Sequence, residues 1–294
     1  FLSKFFHCIE EEKNTDLMIK DSTQSPSSIV MIRPHHFTVN AETAIDNAFQ
    51  VRKIPQKELG NSAYQEITEA AKILSNHGIK VHIFENKNSQ IPDSVFPNNW
   101  FSTHAGGHVA VYPMKAPSRR LERRWDILEM LKSKYKVNDV IDYSGLEYDN
   151  LFLEGTGSMV LDHLNRIAYA IESDRTNLIV LERFCKDFNY EPLTFSAEDE
   201  NGITVYHTNI LMCIGTEIAL IGLDMITNES RRQKIFDHLK DSGRKVIALS
   251  NAQIICFAGN AIELQGRDKI ILALSNLSLI HISEPTRPEM ISYA

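Results

Sequence analysis

Polar motifs interrupt the apolar stretches of this chain at nearly even spacing. They are PNNW around Asn99, LEGTGS at Glu154, YHTN at His207 and FAGN at Asn260, which gives spacings of 55, 53 and 53 residues. Inside each period, a motif is followed by a short β-rich run, a turn, a second β-rich run, an amphipathic helix and one more strand. A fixed period of this length indicates an internal repeat.

The repeated unit is clearest in the third and fourth copies. After Glu154 the pattern predicts strands at SMVLD, RIAYAI and YEPLTF and a helix over 176–186. After His207 it predicts strands at ILMCI, IALIGL and RKVIAL and a helix over 228–241. A helix over 118–133 fits the same position in the second copy, because apolar residues stand there at helical spacing: Leu121, Trp125, Leu128 and Leu131. The unit is therefore ββαβ.

Such a unit cannot bury both faces of its sheet alone, so the copies are expected to pack around a common axis with their helices outside. The motif ends of the strands then converge on one central cleft. A divergent first copy runs from Ser28 through KVHIFE at 80–85, and the last copy begins at AQIICFAGN and breaks off after KIILAL. The pattern predicts an α/β fold of five such units, the last of them incomplete.

Composition excludes several classes of protein. A chain of 294 residues with 43% hydrophobic content can bury a large core, and no long linker divides it, so one main domain is expected. The net charge of -7 and the pI near 5.9 argue against a surface that binds nucleic acid or anionic membrane. The one basic cluster, SRRLERRW at 118–125, is interpreted as a solvated helix face. No segment reaches the roughly 18 unbroken apolar residues of a membrane helix.

Cysteine usage and the first residues bear on the cellular compartment. The cysteines, at positions 8, 185, 213 and 256, show neither metal-site spacing nor a disulfide framework. The opening FLSKFFHCIEEEKN is too acidic, and too short in its apolar part, for a secretory signal. A cytoplasmic location is therefore expected.

Both ends of the chain are interpreted as non-native. The chain opens on Phe1, while Met18 stands at the head of the polar run that leads to the first strand. LSLIHISEPTR, from Leu277, resembles a translated sequencing adapter. The expected organisation is a non-native or disordered extension over 1–28, one domain over 29–275 and a non-native tail over 276–294.

Six motifs, in this order, carry a family resemblance: MIRP, FPNNWFSTH, LEGTGSMVLD, SDRTN, YHTNILMCIG and FAGNAIEL. Together they resemble the amidinotransferase and deiminase superfamily, which has the five-bladed α/β-propeller or pentein fold, and within it the citrulline-utilization hydrolases. The resemblance covers residues 29–274. It implies a Cys, His and Glu hydrolase that acts on a small amino-acid substrate and needs neither cofactor nor metal.

Glu154 and His207 are the catalytic candidates. Glu154 stands between the apolar LFL and GTG, whose glycines allow a tight turn, although read alone it could be an ordinary turn acid. An imidazole can protonate an amine leaving group and then activate water, although a lone histidine at a strand end is more often structural. The resemblance assigns Glu154 to substrate anchoring and proton acceptance, and His207 to acid and base catalysis.

The nucleophile is not evident among the cysteines. Since strand residues rise about 3.3 Å each, Cys213 would lie about 20 Å along a strand from His207. Cys213 and Cys256 stand in apolar runs, where a small buried thiol is the ordinary interpretation. In the family resembled, the nucleophilic cysteine comes from the last blade, after a glycine-rich turn that is missing here. The chain as given is therefore expected to be inactive.

The resemblance also suggests the substrate. Relatives that act on guanidinium groups offer aspartates to the cation from two positions, where this chain has Asn99 and Asn209. Amides would leave a buried guanidinium largely uncompensated, whereas a neutral ureido group suits an amide, which offers both a donor and an acceptor. Citrulline or a similar ureido compound is therefore expected. The alternatives are a deiminase or amidinotransferase on an arginine-like substrate, and a propeller that binds a ligand without catalysis.

Two further motifs contain candidate ligand-binding residues. Arg175 in SDRT fits the carboxylate of an amino acid, since a guanidinium grips a carboxylate with two parallel hydrogen bonds; a surface arginine at a helix start is the alternative. His104 and His108 in HAGGH have the spacing of helical metal ligands, but the two glycines between them favour a hairpin turn. No metal, nucleic acid or membrane is expected as a partner, and a homo-oligomer is possible.

Overall fold

The computed structural model describes residues 6–10, 23–43 and 56–275. The strands are β1 (Phe6–Glu10), β2 (Ser28–Pro34), β3 (Lys80–Asn86), β4 (Phe101–His104), β5 (His108–Val111), β6 (Asp139–Asp142), β7 (Met159–Asp162), β8 (Ile167–Ile171), β9 (Glu191–Phe195), β10 (Met212–Ile214), β11 (Ile218–Ile221), β12 (Lys245–Ala248), β13 (Ile262–Gln265) and β14 (Ile270–Ser275). The α-helices are α1 (Gln56–Asn76), α2 (Pro117–Arg120), α3 (Trp125–Lys134), α4 (Gly155–Ser158), α5 (Leu178–Phe188), α6 (Thr208–Leu211), α7 (Glu229–Asp241) and α8 (Asn251–Ile255). Turns of 3₁₀ helix cover Pro97–Asn99, Ser144–Asp149 and Leu223–Met225.

The strands form small, separate sheets. In the sheets β4-β5-β6, β7-β8-β9 and β10-β11-β12, an antiparallel hairpin is followed by a helix and a third strand parallel to the second. β2 and β3, which precede and follow α1 in the chain, pair in parallel. β1, β14 and β13 form an antiparallel sheet. The repeat therefore gives ββαβ order in three sheets and βαβ order in the first.

The HAGGH motif forms the hairpin turn between β4 and β5. His104 and His108 face each other in the antiparallel register, and Gly106 and Gly107 between them have φ of +88° and +81°. Only glycine adopts such angles without strain, which explains the turn. Over the described ranges, no three His, Cys, Asp or Glu side chains are arranged to hold a metal ion.

The predicted helix over 118–133 is two helices, α2 and α3, with a short break between them. Leu128 and Leu131 of α3 are buried, as their spacing predicts. Leu121 and Trp125 are instead 54% and 68% exposed. The prediction of one continuous amphipathic helix is therefore wrong, because the break changes which face of the segment meets the core.

The basic cluster SRRLERRW is not a solvated helix face throughout. Arg119 and Glu122 are buried and paired with each other, since Nε of Arg119 lies 2.8 Å from Oε1 of Glu122. The interpretation is wrong for these two residues. A buried ion pair and an exposed one have the same sequence spacing, so the pattern could not distinguish them.

Short helical turns precede the first strands of three sheets, where continuous strands are predicted. The run ILMCI begins inside α6 and becomes a strand only at Met212, so its first two residues were wrongly predicted as strand. SMVLD begins on the last residue of α4, and its strand starts one residue later, at Met159. α8 replaces much of the apolar run AQIICF, and its start is marked by a capping box between Ser250 and Gln253.

Residues ahead of β2 connect several sheets at the far end of β7 from Glu154. Nε2 of Gln24 donates to the carbonyl oxygens of Leu161 at 3.0 Å and Ile214 at 2.9 Å, and Oε1 of Gln24 accepts from the backbone of His163 at 2.8 Å. The side chain of Ser25 bonds to that of Glu263. In the described part of the chain, no helix is long and apolar enough to cross a membrane.

Candidate active site

The polar motifs meet through their helical turns. The 3₁₀ turn Pro97–Asn99, α4 and α6 each precede the first strand of a sheet, and α4 contacts both of the other turns. Glu154 is the residue before α4, and His207 is the residue before α6. The hydroxyl of Thr208 donates to the carbonyl of Ser158, which joins α6 to α4. The repeat thus brings three motifs into one place.

Two glycines permit this close approach. Gly155 has φ of +47°, and a Cβ there would lie 2.3 Å from the carbonyl oxygen of Asn98. A Cβ on Gly157 would lie 2.2 Å from Nδ2 of Asn99 and 2.9 Å from the imidazole of His207. No side chain fits at either position, so GTG is required by the turn and by the contact.

Glu154 is fully buried and surrounded by donors. Its Oε2 lies 2.8 Å from Nε2 of His207, and its Oε1 accepts the backbone N–H of Lys115 at 3.1 Å. Nη1 of Arg175 and Nη1 of Arg119 lie 3.5 and 3.6 Å from Oε2. Because a carboxylate only accepts, the imidazole donates from Nε2, and its Nδ1 can take up a proton.

The charges around Glu154 set the protonation of the pair. Burial acts to raise the pKa of Glu154, but the hydrogen bond and charge of His207, with Arg119 and Arg175, bring that pKa well below its ordinary range. Burial lowers the pKa of His207, and Arg175 and Arg119 lower it further against the pull of Glu154. The resting pair is therefore a carboxylate beside a neutral imidazole, which can act as a base.

Arg119 is a site residue that the sequence interpretation missed. Its Nη1 donates to Oδ1 of Asn99 at 3.0 Å, and its Nε and Nη2 donate to the two oxygens of Glu122 at 2.8 and 3.0 Å. Asp93 lies 3.9 Å from Nε. Arg119 stands outside the repeated motifs, and its only signal was an i,i+3 pairing with Glu122 that surface helices also show.

Arg175 is buried beside Glu154, so a surface arginine is not what the structure shows. Its guanidinium lies 4.5 Å from the ring centroid of Tyr206, and Nη2 lies 3.5 Å from the carbonyl oxygen of Thr43. The carbonyl of Arg175 accepts from the backbone N–H of Glu154 and the hydroxyl of Ser158, which fastens this loop to α4.

Asn209 is less closely engaged than the other candidates. It lies half-buried on α6, two residues after His207. Over the described residues, no hydrogen bond joins it to Asn99, Glu154 or His207.

The described cysteines differ in their surroundings. Cys185 and Cys213 are buried in apolar clusters, and burial raises the pKa of each thiol to about 12. Since the thiolate is the nucleophile, such thiols are unreactive. The assumption of one continuous strand from His207 to Cys213 is wrong, because α6 lies between them. Cys256 is half-buried at the end of α8, so the interpretation as a buried thiol holds for Cys213 and is wrong for Cys256.

The site is closed to solvent but adjoins a cleft. Asn99, Glu154 and His207 are each less than a tenth exposed, as are the two arginines. A cleft of about 630 Å³ opens beside the loop that carries Arg175. Its walls include Lys115, Phe152, Ser173, Asp174, Thr176 and Leu178.

Comparison with known proteins places the chain. The sequence profile described as N,N dimethylarginine dimethylhydrolase, eukaryotic, matches residues 33–287. The chain belongs to this family. The family is named for a hydrolase, in agreement with the amidinotransferase and deiminase resemblance of the ordered motifs.

Solved structures share the α/β fold of this dimethylarginine dimethylhydrolase family member. They include ArgZ, an arginine dihydrolase of cyanobacteria (TM-score 0.61, 18% identity, covering 80% of this chain and 33% of ArgZ), and a cysteine-to-alanine variant of AgrE with L-arginine (0.63, 20%, 82% and 34%). A cysteine-to-serine variant of the Pseudomonas aeruginosa dimethylarginine dimethylhydrolase with citrulline also matches (0.54, 14%, 81% of each chain). The chain thus spans about a third of ArgZ and AgrE.

Proposed function

We propose that this protein hydrolyses the ureido carbon–nitrogen bond of citrulline or a related compound. The observation that carries the proposal is the buried pair of Glu154 and His207 with the neutral amide of Asn99 beside it. A neutral imidazole and an ionised carboxylate supply the base and the anchor, while an amide favours an uncharged reacting group. The family supports hydrolysis, and the amide supports the choice of substrate.

The proposed reaction needs a thiolate in addition to these groups. His207 takes the thiol proton at Nδ1, sulfur bonds to the ureido carbon, and the bond to the ornithine nitrogen breaks as His207 returns the proton to that nitrogen. His207 then takes a proton from water, which attacks the same carbon, releases carbamate and restores the thiol. We assign the thiol to a cysteine other than Cys8, Cys185, Cys213 and Cys256, as the family resemblance suggests.

Substrate binding is proposed for Arg175, Asn99 and Asn209, with Glu154 and Arg119 beside them. Arg175 would hold the amino-acid carboxylate, since a guanidinium grips a carboxylate with two short hydrogen bonds, and its contacts with Glu154 and Thr43 are long, at 3.5 Å. Asn99 and Asn209 would face the ureido group, and Glu154 would accept its N–H groups. Arg119 joins this set because it bonds directly to Asn99.

The substrate is tested by turnover of citrulline and arginine in a form of the protein that carries the proposed nucleophilic cysteine. We expect faster hydrolysis of citrulline, and a shift of binding toward arginine when Asn99→Asp and Asn209→Asp are combined, because two carboxylates then compensate the guanidinium. Equal or faster hydrolysis of arginine by the unchanged enzyme would overturn the proposal.

Two alternative functions have their own support. A guanidino substrate is favoured by the family description and by the AgrE structure with L-arginine, and arginine or dimethylarginine turnover would establish it. Binding of citrulline without turnover by that form would instead indicate a non-catalytic propeller.

We further propose that the small sheets are five blades around one axis, which the convergence of the motif turns supports. The domain limits at 29 and 275, a cytoplasmic location and a homo-oligomer stay predictions. A crystal structure with citrulline would test the blade arrangement, since the ligand should lie where Pro97–Asn99, α4 and α6 meet. A ligand elsewhere would contradict it.

A further inference from the structure

The amide of Asn99 is held from both sides by groups that fix its orientation. Nη1 of Arg119 can only donate, so the atom 3.0 Å away must be Oδ1. The backbone carbonyl of Glu154 can only accept, so the atom 3.4 Å from it must be Nδ2. Both neighbours require the same orientation, which leaves the NH₂ end of the amide as the end with a hydrogen to spare.

The NH₂ end faces the gap beside the catalytic histidine. Nδ2 of Asn99 and the imidazole of His207 lie 2.2 and 2.9 Å from the point that a Cβ of Gly157 would occupy. The amide therefore offers a donor to whatever group lies next to that imidazole, while its oxygen is turned toward Arg119 and accepts from it.

Arg119 is itself held in place by Glu122. Both oxygens of Glu122 accept from Arg119, at Nε and Nη2, in a two-pronged contact that leaves Nη1 aimed at Asn99. The side chain of Glu122 is completely buried, and burial raises its pKa to about 8 although the guanidinium of Arg119 acts to lower it. The two-pronged contact with the guanidinium is the geometry of the ionised form. Glu122 makes no hydrogen bond to Glu154 or His207 in the described residues and acts on Glu154 only by charge, so its hydrogen-bonded contact with the site runs through Arg119.

We infer that Glu122 is a positioning residue that, through Arg119, presents only the donor end of Asn99 to the substrate. The site then selects an acceptor, the oxygen of a ureido group, over a guanidinium, which carries donors only. This inference rests on the proposed function, because it names the substrate atom that Asn99 recognises. It also corrects the earlier view that Asn99 offers both a donor and an acceptor.

The test is Glu122→Gln, with the affinities for citrulline and arginine measured by calorimetry. A glutamine turns one N–H toward the guanidinium, so Arg119 loses half of its fixed contact and the amide of Asn99 can rotate. We expect the ratio of arginine to citrulline dissociation constants to fall about ten-fold, the effect of about one hydrogen bond. Because binding needs no nucleophile, the measurement does not depend on turnover.

Asp162→Asn is the matched control. Asp162 and Arg244 form another buried pair with a two-pronged contact, at 2.7 and 2.9 Å, at the other end of β7 from Glu154. Its loss should cost comparable stability and leave the ratio of dissociation constants unchanged. An equal change in both variants would mean that the ratio reports general loosening of the fold, and would overturn the inference.

A second background guards against misfolding and separates the two hypotheses. In Asn99→Asp both oxygens accept, so orientation no longer matters and adding Glu122→Gln should not move the ratio further. A ratio unaffected by Glu122→Gln alone would refute the positioning role even if citrulline is the substrate. A citrulline preference absent from the unchanged protein would instead refute the proposed function.

Discussion

Glu154 is fully buried, yet its pKa lies below the ordinary range, and its neighbours explain how. Three positively charged or protonatable groups face it, and a backbone N–H completes its contacts. Burial lowers the pKa of His207, and Arg175 and Arg119 lower it further, so the same two cations favour a carboxylate and a neutral imidazole at once. Perturbed pKa values in adjacent groups are typical of functional sites.

Gly157 gives a direct test of the geometry between Asn99 and His207. We expect Gly157→Ala to lower citrulline affinity at least ten-fold and to cost about 1–3 kcal/mol of unfolding free energy, because the new Cβ overlaps both side chains. Gly145→Ala is the control, since no atom lies within 4 Å of its Cβ position, and it should stay within about 0.5 kcal/mol. Urea unfolding and calorimetry measure both, and equal behaviour of the two variants would contradict the site.

Because several of its histidines are buried, the protein is expected to lose stability in acid. Burial lowers the pKa of His104 to about 3 and that of His163 to about 4, and it lowers that of His207 as well. Unfolded imidazoles titrate near 6.5, so below that pH the unfolded chain binds protons that the folded chain refuses. The unfolding free energy should fall from pH 6.5 toward 4 by roughly 1.4 kcal/mol per pH unit for each imidazole.

The same prediction has a variant as its check. Replacing His163 with glutamine removes one imidazole, so the fall in unfolding free energy between pH 6.5 and 4 should be shallower than in the unchanged protein. Urea unfolding at several pH values gives the slope. An identical slope would mean that His163 titrates normally in the folded state.

At this scale the sequence predicted part of the site. Asn99, Glu154 and His207 were singled out because the repeat and the family resemblance place them at equivalent positions, and Arg175 because its guanidinium fits a carboxylate. Arg119 was missed because an i,i+3 pair such as Arg119 and Glu122 has the same sequence spacing whether it is buried or exposed.

Elements were predicted well where apolar spacing is regular and poorly where a helix is interrupted. α5 and α7 fall within or close to their predicted ranges, and strands β7 to β12 follow the repeat. The prediction of one helix over 118–133 was wrong, because hydrophobic periodicity cannot show that a charged pair turns inward and that the segment breaks there. The helical turns α4 and α6 were not predicted, because a single turn is too short to show a hydrophobic period.

The break between α2 and α3 can be measured through α3 itself. Ile127 is fully buried and Trp125 is largely exposed. We expect Ile127→Ala to cost about 2–5 kcal/mol and Trp125→Ala less than about 0.5 kcal/mol, although tryptophan is the larger side chain. Urea unfolding of the two variants decides the matter, because one continuous amphipathic helix would give Trp125→Ala the larger cost.

Residues that precede β2 connect several sheets of the molecule. Gln24→Ala would leave two buried carbonyl groups and one N–H without their partner, so we expect a loss of about 2–4 kcal/mol. Gln90→Ala is the control, since that side chain is exposed, and it should be nearly neutral. Unchanged stability of Gln24→Ala would show that these contacts do not hold the sheets together.

The contacts of Gln24 also bear on the order of assembly. Its partners, Leu161 and Ile214, follow it by 137 and 190 residues, so on a ribosome Gln24 emerges long before either exists. Contacts at such separations are slow to form, because a long loop must close before they stabilise anything. During synthesis this early segment stays exposed until β7 and β10 have folded, and its docking is among the last steps toward the native state.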